Sequence, residues 1–245
     1  MVQTLRADLD RIPLGGRALD FGAGYVASDS LALWLLGMDE VVAVDLNAIA
    51  KPEALVRAVR GIDENQVAEI RRFLQPERLT IFNERLQKVR SAADENLPAP
   101  PFTYLAPFDV LAIHQHGPTD VDLLWSTSVL EHIRPSLLPS VLDALTGMLS
   151  EGGAAYHFID LRDHLNFEVP FAFGSADIPF DPEANADERG NGMTVEDWRR
   201  LVAGREGAYE VRTVQPASSK MDLSRPEFIL LVQRRRAARH FSPAT

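Results

Sequence analysis

Leu19-Asp20-Phe21-Gly22-Ala23-Gly24-Tyr25-Val26-Ala27 decides the fold of this chain. Arg17 to Phe21 is a short, largely apolar strand that runs into a loop of the form G-x-G-x-x-[G/A]. A helix follows through Leu31, Leu33, Trp34, Leu35 and Leu36, and Gly37 is placed to stop it as a C′ residue. Val41-Val42-Ala43-Val44 is continuous and apolar, as in a strand buried in a parallel sheet, and Asp45 ends it 21 residues beyond Gly24. Strand, glycine loop, helix and strand in that order open an α/β fold.

The rhythm breaks over residues 48–95. Pro52 suits the first position of a helix, and Asp63 with Gln66 resembles a capping box ahead of Val67, Ile70 and Leu74. Leu79, Phe82, Leu86 and Val89 repeat at i, i+3, i+7 and i+10, which is one helical stripe. The segment is a helical insertion that serves either packing or a substrate lid. Leu123-Leu124-Trp125 is a strand candidate, followed by Ser126-Thr127-Ser128-Val129-Leu130-Glu131-His132. A helix through Leu137, Leu138, Val141, Leu142, Leu145 and Met148 is expected to end at Gly152-Gly153, ahead of a strand from Ala154 to Ile159. Residues 165–192, rich in Asn, Asp, Pro, Gly and Phe, form a long loop or flap. Thr194 and Asp197 cap a short helix carrying Trp198, Leu201 and Val202. Tyr209 to Val214 and Phe228 to Val232 are closing strands with no helix between them, and 234–245 is a basic tail. The expected whole, 1–245, is one doubly wound α/β domain.

Composition narrows the function. The 245 residues carry 25 basic against 35 acidic side chains, a net charge of -10, so a polyanionic partner such as nucleic acid is not expected. With no cysteine, disulfides, thiolate zinc sites, iron–sulfur clusters and cysteine nucleophiles are all excluded. The first eight residues lack an apolar core of the signal-peptide kind and no apolar run reaches a membrane-spanning length, so a soluble, cytoplasmic protein without a membrane partner is expected. Its oligomeric state is not legible.

The glycine loop and Asp45 alone would suit a nicotinamide-dependent oxidoreductase, where the acid holds a ribose. Asp20 argues against it. A carboxylate two residues before the first glycine sets negative charge near a diphosphate that the loop and helix N-terminus would otherwise attract. Beside the ammonium and sulfonium of S-adenosylmethionine the same charge is favourable. Alternatively, Asp20 only caps a turn through backbone N–H groups.

Four segments in this order, Leu19 to Gly24, Val42-Ala43-Val44-Asp45-Leu46-Asn47, Val121 to Ile133, and Leu149-Ser150-Glu151-Gly152-Gly153, resemble the class I S-adenosylmethionine-dependent methyltransferases. The resemblance spans roughly residues 16–165. It implies a mostly parallel seven-stranded sheet with an antiparallel C-terminal strand, and S-adenosylmethionine as cofactor. By this resemblance Asp20, Gly22, Ala23 and Gly24 form the loop against the methionine moiety. Asp45 accepts the ribose hydroxyls, Leu46 flanks the adenine, and Asp109, with Val110 beside it, meets the adenine amino group. Ser126 and Thr127 border the transferable methyl. Val26 departs from the family, which commonly has glycine or another small residue there.

The loop after the fourth strand, Ser126-Thr127-Ser128-Val129, is not the Asn/Asp-Pro-Pro-aromatic motif of enzymes that methylate nucleobase amino groups. With the charge balance, this leaves a small-molecule acceptor, O-methylation ahead of N- or C-methylation. The densest polar stretch, His157-Phe158-Ile159-Asp160-Leu161-Arg162-Asp163-His164, lies at the end of the fifth strand, where open α/β sheets hold their ligands. His164 as base, oriented by Asp160 or Asp163, is the catalytic hypothesis. A divalent metal on Asp160, Asp163 and His164 and a plain salt-bridge cluster are its alternatives, and no metal site is assigned. Trp125 belongs to the core. Glu131 is expected to complement a helix dipole and His132 to pack, while His114 and His116 suit a surface turn. Phe167, Phe171, Phe173 and Phe180 would give the flap an apolar inner side that closes over the acceptor, or anchor it to the core. A methyltransferase-like protein that only binds its ligands is the main rival to an enzyme.

Overall fold

The structure, a computed structural model, describes residues 8–94, 101–112, 117–165, 173, 179–205, 208–214 and 227–234. It divides into two compact units, Met1–Thr127 and Ser128–Thr245. Seven strands hydrogen-bond in the order β3-β2-β1-β4-β5-β7-β6, with β7 antiparallel to both of its neighbours. This is the mixed, mostly parallel sheet expected from the sequence.

In the first unit β1 (Arg17–Phe21) pairs in parallel with β2 (Glu40–Val44) and with β4 (Val121–Thr127), and β2 pairs in parallel with β3 (Thr103–Leu105). Ala18, Leu19, Val41, Val42, Ala43, Val44, Leu123, Leu124 and Trp125 are all buried, which is why these strands read as unbroken apolar runs rather than alternating ones. Helix α1 (Ser28–Leu35) packs on β1 and β2, and Gly37 follows it at φ 106°, a conformation that favours glycine.

Three helices lie between β2 and β3: α2 (Pro52–Arg60), α3 (Glu64–Arg71) and α4 (Pro76–Asp94). Asp63 caps α3 by accepting the Asn65 N–H. Phe82, Leu86 and Val89 are buried along one face of α4, as the stripe predicts. Two arginines of the same helix close the end of α1. Arg78 is buried and donates to the carbonyls of Leu36 and Ile12, while Arg85 donates to the carbonyls of Trp34 and Met38 at 2.6 and 2.7 Å. A helix C-terminus leaves carbonyls without intrahelical partners and carries partial negative charge, so two guanidinium groups fix α1 at its far end. This clamp holds the helix that starts at the glycine loop.

The second unit contains β5 (Leu149–Asp160), β6 (Ala208–Val214) and β7 (Phe228–Arg234), with α5 (Leu138–Met148), α6 (Pro182–Arg189) and α7 (Val195–Val202). Helix α5 stops at Met148, not at Gly152-Gly153, and β5 starts at once with Leu149 at ψ 140°. Met148 and Leu149 are both buried, so core contacts hold the turn point where the glycines would have been the cheaper place to end. Thr194 and Asp197 form the expected capping box on α7, and Trp198 is fully buried.

Candidate functional site

The residues that the sequence assigns to the cofactor all belong to the first unit. They sit at the carboxyl ends of its parallel strands, the edge where such sheets hold ligands. Gly22 and Gly24 adopt φ 79° and 65°, and the N–H groups of Gly22 and Ala23 both donate to the Val44 carbonyl at 2.9 Å. Ala27, the last position of the motif, is buried at φ 52° and precedes α1, so a small side chain is needed there.

Asp45 ties the loop together. Its Oδ2 accepts the Gly24 N–H and its Oδ1 accepts the Asn47 N–H, each at 2.9 Å, while its carbonyl accepts the Phe108 N–H. A carboxylate has about four lone-pair positions, so two remain for hydroxyl donors. Leu46 beside it is 63% exposed, an unusual position for leucine. Asp109 is exposed and accepts the Leu111 N–H, and Val110 is buried behind it. Ser126 is buried at the end of β4. Thr127 is exposed and donates through Oγ1 to Asp29 Oδ2 at 2.6 Å, and the same oxygen of Asp29 accepts from the Trp125 indole at 2.8 Å. Trp125 is core, as expected.

Asp20 is 1% exposed and accepts Ser30 Oγ at 2.5 Å. Burial pushes its pKa up to about 7, against the Ser30 hydrogen bond, and the negative charges of Asp29 and Asp45 push in the same direction as burial. Asp20 therefore reaches into α1 and does not act only as a turn cap. Its proton is linked to stability with an inverted sign for an acid. The folded state holds the proton to about pH 7 while an unfolded aspartate releases it near 4, so stability falls as pH rises between those values. Asp20→Asn, which still accepts from Ser30, is expected to remove that slope. Thermal unfolding should show the variant gaining on the parent by on the order of 2 kcal/mol between pH 5 and pH 8. Parallel pH profiles would show that the buried acid does not titrate in this range.

The second unit holds the other candidates. After β5 the chain turns through Asp160, Arg162, Asp163 and His164. Arg162 forks onto the Asp160 carboxylate, with Nε to Oδ1 at 3.0 Å and Nη2 to Oδ2 at 2.7 Å. His164 Nε2 lies 3.7 Å from Asp160 Oδ2. Burial lowers the His164 pKa, and the neighbouring His132 lowers it further. Asp163 has a different partner. It is buried against Arg189 of α6, Nε to Oδ1 at 3.2 Å with a second, shorter contact from Nη2 to Oδ2, and it also accepts the Leu165 N–H. Burial would raise the Asp163 pKa, but the Arg189 hydrogen bond and charge hold it below the usual aspartate range. Its oxygens are committed, which leaves Asp160 as the carboxylate facing His164. His157 lies in the core, where burial alone pushes its pKa down to about 3, so it stays a neutral packing residue.

The sequence assigns Glu131 to a helix dipole, and the structure corrects this. Leu130–His132 is a short 3-10 turn well ahead of α5, and Glu131 is buried with Oε1 accepting the Asp160 N–H at 3.1 Å. Burial raises its pKa to about 8, against the backbone hydrogen bonds that it accepts. Asn191 pins this turn, its N–H donating to the Glu131 carbonyl and its Nδ2 to the carbonyls of Leu130 and Ile133. His132 does not merely pack. Its Nδ1 is 3.0 Å from the Asp187 carbonyl and its ring meets His164 edge-on, centroids 4.7 Å apart. The Glu131-His132 pair was visible in sequence, but its meeting with His164 was not.

Of the flap aromatics, Phe173 and Phe180 pack on each other, with the Arg189 guanidinium 5.1 Å from the Phe180 ring centre. Phe167 and Phe171 lie outside the described residues, as do His114, His116 and the tail beyond Arg234. Among the described residues no helix is long and apolar enough to cross a membrane.

No protein-family model and no curated protein sequence matches the chain. Solved structures do. An S-adenosylmethionine-dependent methyltransferase from Mesorhizobium loti aligns with TM-score 0.54 and 19% identity over 95% of this chain and 96% of its own. Magnesium protoporphyrin IX methyltransferase from Synechocystis, with S-adenosylhomocysteine bound, aligns with TM-score 0.53 and 16% identity over 96% of this chain and 81% of its own. The 1,6-didemethyltoxoflavin N1-methyltransferase of Burkholderia thailandensis, holding that substrate and S-adenosylhomocysteine, gives 0.52 and 13% over 96% and 78%. Strand order, the antiparallel β7 and these alignments agree: the chain has the fold of the class I S-adenosylmethionine-dependent methyltransferases.

Proposed function

We propose that the chain is an enzyme that binds S-adenosylmethionine and transfers its methyl group to a small molecule, with oxygen favoured over nitrogen or carbon as the acceptor atom. The observation that carries the cofactor assignment is the charge around the glycine loop. Asp29 and Asp45 both act on buried Asp20, and all three are acids. The Gly24 N–H, a donor that a diphosphate would use, is already committed to Asp45. A dinucleotide meets repulsion here, whereas an ammonium and a sulfonium are attracted. A bound cation also favours the ionised form of Asp20. The remaining acceptor positions of Asp45 suit ribose hydroxyls, and Leu46 offers an exposed apolar face for adenine. Asp109, with Val110 buried behind it, is assigned to the adenine amino group, and Ser126 and Thr127 to the reacting end.

When bound, the cofactor supplies a methyl group on a positively charged sulfur, which the acceptor displaces in line. The chain orients the acceptor and takes the proton that a hydroxyl gives up. We assign that proton to His164 in the cation-free protein, with Asp160 as its orienting carboxylate and Asp163 as the anchor of the turn. Two of the aligned structures are named for small-molecule substrates, which supports the acceptor class.

Calorimetric titration with S-adenosylhomocysteine, and with NAD in parallel, tests the cofactor. Micromolar binding of the first and none of the second is expected, and NAD binding alone would overturn the assignment. Once an acceptor is found, His164→Ala should lower turnover at least about tenfold, the lower range for a positioned proton acceptor. Unchanged turnover would remove His164 from the reaction. Retained cofactor binding with no transfer to any acceptor would favour a binding protein.

A further inference from the structure

His164 has two neighbours that methyl transfer does not explain, Glu131 and His132. One ligand atom from each of the three side chains falls in a group spanning 4.8 Å. We infer that Glu131, His132 and His164 form a binding site for a first-row divalent cation such as Zn²⁺ or Co²⁺.

Each side chain offers one ligand atom, and Glu131, which burial favours in its protonated form, releases that proton as the cation binds. Glu131 is 1% exposed, its Oε1 is engaged by the Asp160 N–H, and its Oε2 has no hydrogen-bond partner among the described residues. A buried carboxylate oxygen without a donor is costly unless something positive meets it. The His132 Nδ1 lies 3.0 Å from the Asp187 carbonyl. A carbonyl only accepts, so this nitrogen carries the proton and Nε2 presents a lone pair. Donation of the second ring N–H to a carbonyl is the usual way that a metal-bound histidine is oriented. The His164 ring stands 64° from that of His132, close enough for both imidazoles to share one ion. The frame is fixed before any ion arrives, because Asn191 holds the carbonyls of Leu130 and Glu131 in the 3-10 turn and of Ile133 just after it through its backbone and side-chain N–H groups. Asp160 is neutralised by the Arg162 fork and stands behind the site as a support.

One carboxylate and two imidazoles select a borderline transition-metal ion over magnesium or calcium, which prefer all-oxygen shells. Three protein ligands leave coordination positions open, the pattern of a catalytic site rather than a closed structural one. With the ion in place, His164 is a ligand rather than a base. An acceptor hydroxyl on the open position then loses its proton to solvent because the cation lowers its pKa. Only this last step rests on the methyl-transfer assignment.

The test uses the full chain without a histidine tag, stripped with chelator, and titrated with Co²⁺ by visible absorption and with Zn²⁺ by calorimetry. One equivalent of each is expected, with ligand-field bands for Co²⁺. Glu131→Gln and His132→Ala should each weaken binding at least about tenfold, since loss of even an outer-shell partner costs that much. His114→Ala should leave affinity unchanged. If Glu131→Gln fails to fold, the half-buried His132→Ala carries the comparison. Absence of stoichiometric binding to the parent protein, or binding that both variants leave untouched, would overturn the inference. S-adenosylhomocysteine titrated into the same stripped sample separates the two assignments. Its binding without cation binding leaves the cofactor assignment standing and removes the metal site, and the reverse pattern does the opposite.

Discussion

Asp45→Ala is expected to lower affinity for S-adenosylhomocysteine by at least about a hundredfold. Two charge-assisted hydrogen bonds to ribose hydroxyls are each worth roughly 1.5 kcal/mol or more, and about 3 kcal/mol together exceeds two decades of affinity. The substitution also releases the N–H groups of Gly24 and Asn47, which the carboxylate holds at 2.9 Å, so the loop loses one of its ties to the end of β2 together with the ribose contact proposed for Asp45. Asp45→Asn separates the two effects. An amide oxygen can keep one backbone bond but gives up the charge, so an intermediate loss is expected. Calorimetry on the three proteins measures this directly, and an Asp45→Ala affinity within threefold of the parent would place the ribose elsewhere.

The second large effect is on stability. Asp163→Asn leaves the Arg189 guanidinium buried without its counter-charge, and breaking such a pair from one side is more costly than never having had it. The expected loss is about 2 kcal/mol, below the range for removing a buried partner outright because the asparagine amide oxygen still accepts from Arg189. Urea unfolding at pH 7 would report it as a lower midpoint. Arg189→Met with Asp163→Asn should recover part of the loss, because neither charge is then stranded and the methionine still packs on Phe173 and Phe180. A double variant as unstable as the sum of the two singles would show that the pair acts independently of its charges.

Much of the geometry of the glycine loop was legible because its signals are local. A glycine at φ 79° or 65°, an acid one residue beyond a buried strand and an alanine at φ 52° each answer a backbone requirement that neighbours in sequence impose. The strands announced themselves because burial on both faces removes polar alternation. Boundaries were less legible where two signals competed. Gly152-Gly153 offered an easy stop for α5, but burial of Met148 and Leu149 placed the change of direction earlier.

The polar cluster after β5 shows the limit. Asp160, Asp163 and His164 stand together in sequence and look interchangeable, yet Arg189, 26 residues beyond Asp163, takes one acid while Arg162 takes the other. Nothing near Glu131-His132 says that His164 will lie beside them, because that contact joins residues more than thirty positions apart.

By itself the sequence determined the order of most strands and helices, the conformation of the glycine loop and the positions of the acids at the strand ends, since these follow from short-range sterics, hydrogen bonding and burial period. It missed α6 (Pro182–Arg189), which Asp181 caps inside the stretch 165–192 read as a loop, because that helix buries too few apolar residues to show a period. Tertiary structure alone decided which acids are buried, which are paired with arginine and which histidines meet. Those properties depend on desolvation and on partners brought together by folding, and no local pattern encodes either.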